Sequence, residues 1–205
     1  MGAGFSIRGI DSIKGIEKTM KNVWEVWPSA LTTAECDAIA KRAENYGEQD
    51  ATIGFTNSLR SDLGYRTSSV RWLDVSREKD IVSRIMDFVR PSNRTNFGVE
   101  IEAPYELQFT EYRATNKGHY DWHQDVWLES PRPYARKLSV VVQMSSPEEY
   151  KGGQFEFFGI PNPGGQFAPR GSLLIFPSFL QHRVLPVVEG KRRSLVTWIE
   201  GPNWR

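Results

Sequence analysis

The chain has 205 residues, enough for one domain with a sizeable buried core, and its apolar and charged fractions of 39% and 25% are ordinary for a soluble globular protein. A formal net charge of +1, from 26 basic and 25 acidic side chains, excludes the basic excess that marks a nucleic-acid binder. Cys36 is the only cysteine, which rules out an intrachain disulfide and a cysteine zinc site, and no apolar run approaches the roughly 18 residues that span a bilayer.

Residues 1–30 read as an N-terminal arm, within which Ile10, Ile13, Ile16 and Met20 fall at near-helical spacing. The start lacks the apolar stretch of a secretory signal, although Met1-Gly2-Ala3-Gly4-Phe5-Ser6 fits the loose myristoylation pattern. A reducing, cytoplasmic location is expected, with residues 31–205 forming a single domain. Thr32-Thr33-Ala34-Glu35 has the form of a capping box, with Leu31 and Cys36 placed as a hydrophobic staple, and predicts a helix to about Tyr46. A second helix is predicted over 78–90, where Ile81, Val82, Ile85, Phe88 and Val89 make one apolar face and Pro91 ends it.

From about residue 104 the texture changes to β. Runs rich in β-branched and aromatic residues occur at 105–112, 136–144, 154–158, 172–176, 182–188 and 192–199. Turn residues separate them, as in Asn116-Lys117-Gly118, Gly152-Gly153 and Pro169-Arg170-Gly171. Many short strands at regular spacing argue a sandwich or barrel. The predicted class is therefore mostly β with N-terminal helices: a jelly roll buttressed by α-helices, its core at about 105–200.

The chain has three histidines, His119, His123 and His182, of which His119 is not expected to be a ligand. In His123-Gln124-Asp125, residues i and i+2 of a strand share a face, so an imidazole and a carboxylate converge. His182, after the strand Ser172–Phe176 and the turn Pro177-Ser178, is the natural third ligand of a two-His-one-carboxylate site with open positions. Ten residues on, Arg192 offers a fork for a carboxylate, and Ser194 on the same strand face offers one more donor. Alternation points Arg193 the other way.

These residues stand in a recognisable frame. Tyr112–Asp125 resembles the Y…G-x-Y-x-x-H-x-D signature of prolyl-4-hydroxylase-like oxygenases, and Gly152-Gly153-Gln154-Phe155-Glu156-Phe157 looks like their G-G-x-[LF]-x-F strand. Gly171–Trp198 is similar to their G-x-L-[LI]-[IL]-F-P…H-x-V-x-P-V-x-x-G-x-R-x-S-L-x-x-W core, above all in the bacterial and phage PKHD-type branch. The resemblance implies a double-stranded β-helix with iron(II) on His123, Asp125 and His182. It implies 2-oxoglutarate held through its distal carboxylate by Arg192 and Ser194, O₂ as oxidant, and ascorbate (L-ascorbic acid) in support. Tyr112 matches a tyrosine that contacts the co-substrate in relatives, and Gln143 falls where some relatives carry a second tyrosine. Tyr120, Trp122 and Trp127 flank the triad as substrate-entrance residues or as barrel packing.

The activity implied is hydroxylation of a C–H bond with release of succinate and CO₂. A protein or peptide proline is the expected substrate, with a free amino acid or other small metabolite as the alternative. A non-catalytic metal-binding β-helix would not need the full ligand set together with Arg192. A nucleic-acid repair oxygenase would carry a second arginine six residues after Arg192, where this chain has Trp198. The loops expected to select the substrate, 50–68 and 126–136, carry no readable code.

Overall fold

The computed structural model describes residues 22–52, 62–126 and 133–204. The near-helical spacing of Ile10–Met20, parts of the two loops and Trp127 lie outside the described residues. In chain order the elements are β1 (Glu25–Trp27), α1 (Thr33–Ala43), β2 (Gln49–Asp50), β3 (Arg66–Thr67), β4 (Ser69–Leu73) and α2 (Lys79–Ser92). They continue with β5 (Pro104–Arg113), β6 (His119–His123), β7 (Tyr134–Gln143), β8 (Tyr150–Gly152) and β9 (Phe155–Phe157). The chain closes with β10 (Leu173–Pro177), β11 (His182–Val184) and β12 (Val187–Pro202).

Two antiparallel sheets face each other, giving the expected jelly roll. The larger runs β1-β10-β7-β12-β5-β4-β2, with β8 on the outer part of β12, and the smaller runs β3-β6-β11-β9. Side chains alternate across the larger sheet. Leu107, Phe109, Leu138, Val140, Val142, Leu173, Ile175, Leu195 and Ile199 point to one side, where they pack on Cys36, Ile39, Ile81, Ile85 and Val89 of the two helices. The intervening residues Gln108, Thr110, Tyr112, Ser139, Gln143, Arg192 and Ser194 are buried between the sheets. A smaller apolar cluster of Val141, Phe157, Phe167, Leu174 and Phe176 fills the rest of that interior. The helices therefore supply the hydrophobic side of the sheet and leave its other side free for polar work.

Trp27 ties the chain's start to this body: β1 pairs with β10, and the Trp27 indole donates to the Ser92 hydroxyl at 2.8 Å. Pro91 does not end the second helix, contrary to the sequence expectation. It lies inside α2, and the chain then widens into a π-turn over Asn93–Phe97. A proline near a helix end removes one N–H without breaking the preceding turns. The actual stop is Gly98, in the left-handed region at φ 66°, whose N–H donates to the Asn93 carbonyl. The 182–188 run is likewise two strands, because β11 stops at Val184 and β12 starts at Val187, with Pro186 between them. Among the described residues no helix is long and apolar enough to cross a membrane.

The capping box is present as expected. Thr32 Oγ1 accepts from the Glu35 N–H at 3.2 Å, and Glu35 accepts from the Thr32 N–H at 2.6 Å. Thr32→Ala is expected to cost about 1 kcal/mol, a Tm loss of roughly 2–4 °C for a domain of this size. Thr32→Ser should retain the wild-type Tm in the same thermal scan, and equal losses in both variants would rule out a capping role.

Candidate active site

β6 and β11 run antiparallel with His123 opposite His182, so two imidazoles from distant parts of the chain meet at 4.1 Å between ring centres. The register slips beside them: Tyr120 to His123 on β6 faces only His182 to Val184 on β11. Such a bulge re-aims side chains. Tyr120 comes to stack on His123, 3.5 Å between centroids and 13° between planes. Trp122 instead packs on Phe158 and under the Arg183 guanidinium and is not among the cavity-lining residues, which favours the packing role of the two left open for it.

Asp125 arrives by a different route from the one expected. β6 ends at His123, so strand alternation does not carry the carboxylate. The Asp125 N–H donates to the Ser178 carbonyl at 2.9 Å, and its Oδ2 accepts from Ser139 Oγ at 2.7 Å. Ser139 in turn lies 3.0 Å from the Ser178 hydroxyl. Two buried serines on β7 and the β10–β11 turn therefore aim the carboxylate.

The three donors are in ligand-ready states. Asp125 oxygens lie 3.8 Å from His123 Nε2 and 3.6 Å from His182 Nε2, and the three candidate ligand atoms fall within 4.8 Å of one another. Nδ1 of His123 is 2.8 Å from the Asp121 carbonyl and Nδ1 of His182 is 2.9 Å from the Leu180 carbonyl. A carbonyl accepts only, so each Nδ1 carries the proton and each Nε2 lone pair faces the centre. Burial, then the neighbouring His182, holds the His123 imidazole well below its usual range and hence neutral. Burial alone would raise the Asp125 carboxyl, but His182, His123, Arg136 and the Ser139 hydroxyl together bring it below the usual value. Two imidazole nitrogens and one carboxylate suit a divalent transition metal.

Arg192 is 1% exposed, and its Nε and Nη2 have no hydrogen-bond partner among the described residues. It sits opposite Tyr112 in the β5–β12 register, with the guanidinium 5.7 Å from that ring's centre. Ser194, two residues along, lies between Thr110 and Gln143 on the flanking strands. Gly153 makes room for the arginine: at φ +64°, a Cβ there would stand 3.0 Å from Arg192 Cδ and 2.9 Å from Val187 Cγ2. A buried guanidinium without a partner calls for an explanation, and an anion in the cavity supplies one. The donor set and this orphaned cation fit iron(II) and a dicarboxylate, respectively.

His123, Asp125, His182, Tyr112, Tyr120, Arg192 and Ser194 all line one cavity of about 810 Å³. Gln143 faces an adjoining cavity of about 490 Å³, which shares Phe155 and Arg192 with the first. Trp127 falls outside the described residues. Sequence reasoning missed Arg66 and Trp198 as lining residues. Arg66 Nε donates to Ser68 at 3.0 Å and Nη2 to Gln108 at 3.1 Å, with its guanidinium 4.3 Å over Tyr120. Arg136, ion-paired with Glu106, lies 3.8 Å over the Trp198 ring, whose buried Nε1 has no partner. Arg66 sits in a two-residue strand with no periodic signal to mark it, and Arg136 stands at the start of a predicted β run where nothing singles it out.

Residues 107–200 match the family model described as the 2OG-Fe(II) oxygenase superfamily. A PKHD-type hydroxylase from Crocosphaera subtropica is 33% identical over 46% of this chain and 42% of its own length, so the chain spans less than half of that relative. Among solved structures, a Pseudomonas putida prolyl-4-hydroxylase superposes with a TM-score of 0.66 at 21% identity, covering 87% of this chain and 92% of that one. A Trichoplax adhaerens prolyl hydroxylase, solved with a hypoxia inducible factor oxygen degradation domain peptide fragment, gives 0.67 at 15% identity, covering 87% and 84%. These superpositions establish the shared fold.

Ser139 offers a direct test of the site. Removing its hydroxyl leaves Asp125 less firmly aimed, and Ser139→Ala is expected to weaken iron(II) binding roughly 10- to 100-fold. Anaerobic equilibrium dialysis reads the affinity, and the Tm of the metal-free chain should move little. Unchanged affinity would remove Ser139 from the support of the centre.

Proposed function

We propose, from the premise that residues 107–200 are a 2OG-Fe(II) oxygenase domain, that this chain hydroxylates a substrate C–H bond as 2-oxoglutarate becomes succinate and CO₂. One observation carries the reading: a buried, unpaired Arg192 guanidinium shares a cavity with the His123–Asp125–His182 cluster. Iron(II), bound with 2-oxoglutarate and O₂, supplies the oxidant that places one oxygen atom on the substrate.

The chain's own residues do the rest. The three ligand side chains would hold the ion from one side and leave its cavity side open. The Arg192 fork would accept the distal carboxylate in one plane, with the Ser194 hydroxyl as a further donor and Tyr112 against the guanidinium. Phe155 and Phe176 pack on the His182 ring, at 5.2 and 4.8 Å between centroids, and keep water from that side of the centre. Asp125 fills the third ligand position, which supports hydroxylation over halogenation, since halogenases leave that place for chloride.

A peptidyl proline is the substrate class we favour. Its support is the fold shared with prolyl hydroxylases, one of them solved with a peptide, and a cavity open enough for a segment of chain. A free amino acid is the second reading, favoured by Arg66. That guanidinium lines the cavity and bonds Ser68 and Gln108, but no carboxylate among the described residues pairs with it.

Anaerobic addition of iron(II) and then 2-oxoglutarate is expected to give a visible charge-transfer band from chelation. Metal binding without the band would overturn the oxygenase reading. Arg192→Ala should weaken 2-oxoglutarate binding by about 2–4 kcal/mol, roughly 30- to 1,000-fold, with iron affinity kept. Mass spectrometry of proline peptides and free amino acids incubated with the aerobic enzyme then reads which class gains one oxygen.

A further inference from the structure

The far end of the co-substrate cavity carries a device the family resemblance does not explain. Gln143 stands beside Ser194 in the β7–β12 register and lines, with Arg192, the adjoining cavity. Its amide is drawn to the Tyr150 hydroxyl at 2.7 Å, and its other end, Oε1 as placed, is buried with no donor in reach. A half-turn of the amide exchanges its oxygen and nitrogen without moving any other atom. After the half-turn Tyr150 donates to Oε1, and the –NH₂ group faces the place where Oε1 had no partner.

Resting on the 2-oxoglutarate reading of Arg192, we propose that Tyr150 is a positioning residue that fixes the Gln143 amide with its –NH₂ toward the distal carboxylate. A carboxylate accepts and never donates, so an amide oxygen turned toward it is repelled and an –NH₂ is drawn in. The Gly152-Gly153 corner lets the parts converge. A Cβ on Gly153 would stand 3.4 Å from the Tyr150 ring and 3.0 Å from Arg192 Cδ, so tyrosine and arginine close over the same bare glycine. The distal carboxylate thus meets a guanidinium, a hydroxyl and an oriented amide. A monocarboxylic 2-oxo acid such as 2-oxobutyrate reaches none of them.

The test is anaerobic titration of the iron(II)-loaded full chain with 2-oxoglutarate and, separately, with 2-oxobutyrate, read by the charge-transfer band and by calorimetry. Tyr150→Phe is expected to weaken 2-oxoglutarate binding roughly three- to tenfold, the loss of one hydrogen bond, and to leave 2-oxobutyrate binding unchanged. Gln143→Glu, which sets carboxylate against carboxylate, should weaken 2-oxoglutarate roughly 100-fold, again sparing 2-oxobutyrate and iron. Wild-type 2-oxoglutarate affinity in Tyr150→Phe, or an equal loss for both acids in either variant, overturns the proposal alone. A wild-type chain that binds iron but neither acid overturns the oxygenase reading and this proposal with it.

Discussion

The position of β12 between β5 and β7 is the constraint on which the rest of the molecule depends. Side chains alternate along a strand, so a slip of one residue would turn Leu195 and Ile199 inward and send Arg192 and Ser194 out to the helices. Two adjacent arginines make the point. Arg192 is sealed inside the jelly roll, while Arg193 reaches the opposite face and pairs with Glu111 at 2.9 Å. Apolar packing on one face holds the polar constellation on the other. The helices, packed on the apolar face, matter to the chemistry through this alternation.

Burying Arg192 without a partner works against folding, since an ion removed from water keeps its desolvation cost until something neutralises it. The pairing of β12 on both edges and the apolar cores around it supply enough stabilisation to hold that charge in place. An anion bound against the guanidinium would offset that cost. The same logic runs through the triad, where Ser139, Ser178 and two backbone carbonyls spend their hydrogen bonds on aiming ligands.

Much of this arrangement is legible in the chain because it depends on local spacing. The capping box at Thr32 and the turns that separate the strands can be read from neighbouring residues. The residues singled out by motif, His123, Asp125, His182, Arg192, Ser194 and Tyr112, meet in one cavity. Features set by non-local register escape such a reading. The bulge at Tyr120–His123 depends on how β11 meets β6, and it brings Tyr120 onto the His123 ring. Arg66 enters from a two-residue strand in a stretch that reads as loop, and its aim comes from Gln108 on another strand. Ser139 looks like any small residue in a β run until its hydroxyl is found on Asp125. Pro91 signals a stop to any sequence rule, yet the chain can absorb one lost N–H by widening into a π-turn.

The carbonyl tethers on the two histidines carry one more consequence. With both Nδ1 protons held, the rings cannot turn over, and the ligand atoms stand in place before any ion arrives. A centre built that way offers the same two nitrogens and carboxylate to every divalent ion. Zinc and copper bind such donors more tightly than iron does. Rigidity therefore gives the centre readiness and no means of refusal. The metal it carries is decided by what its surroundings supply.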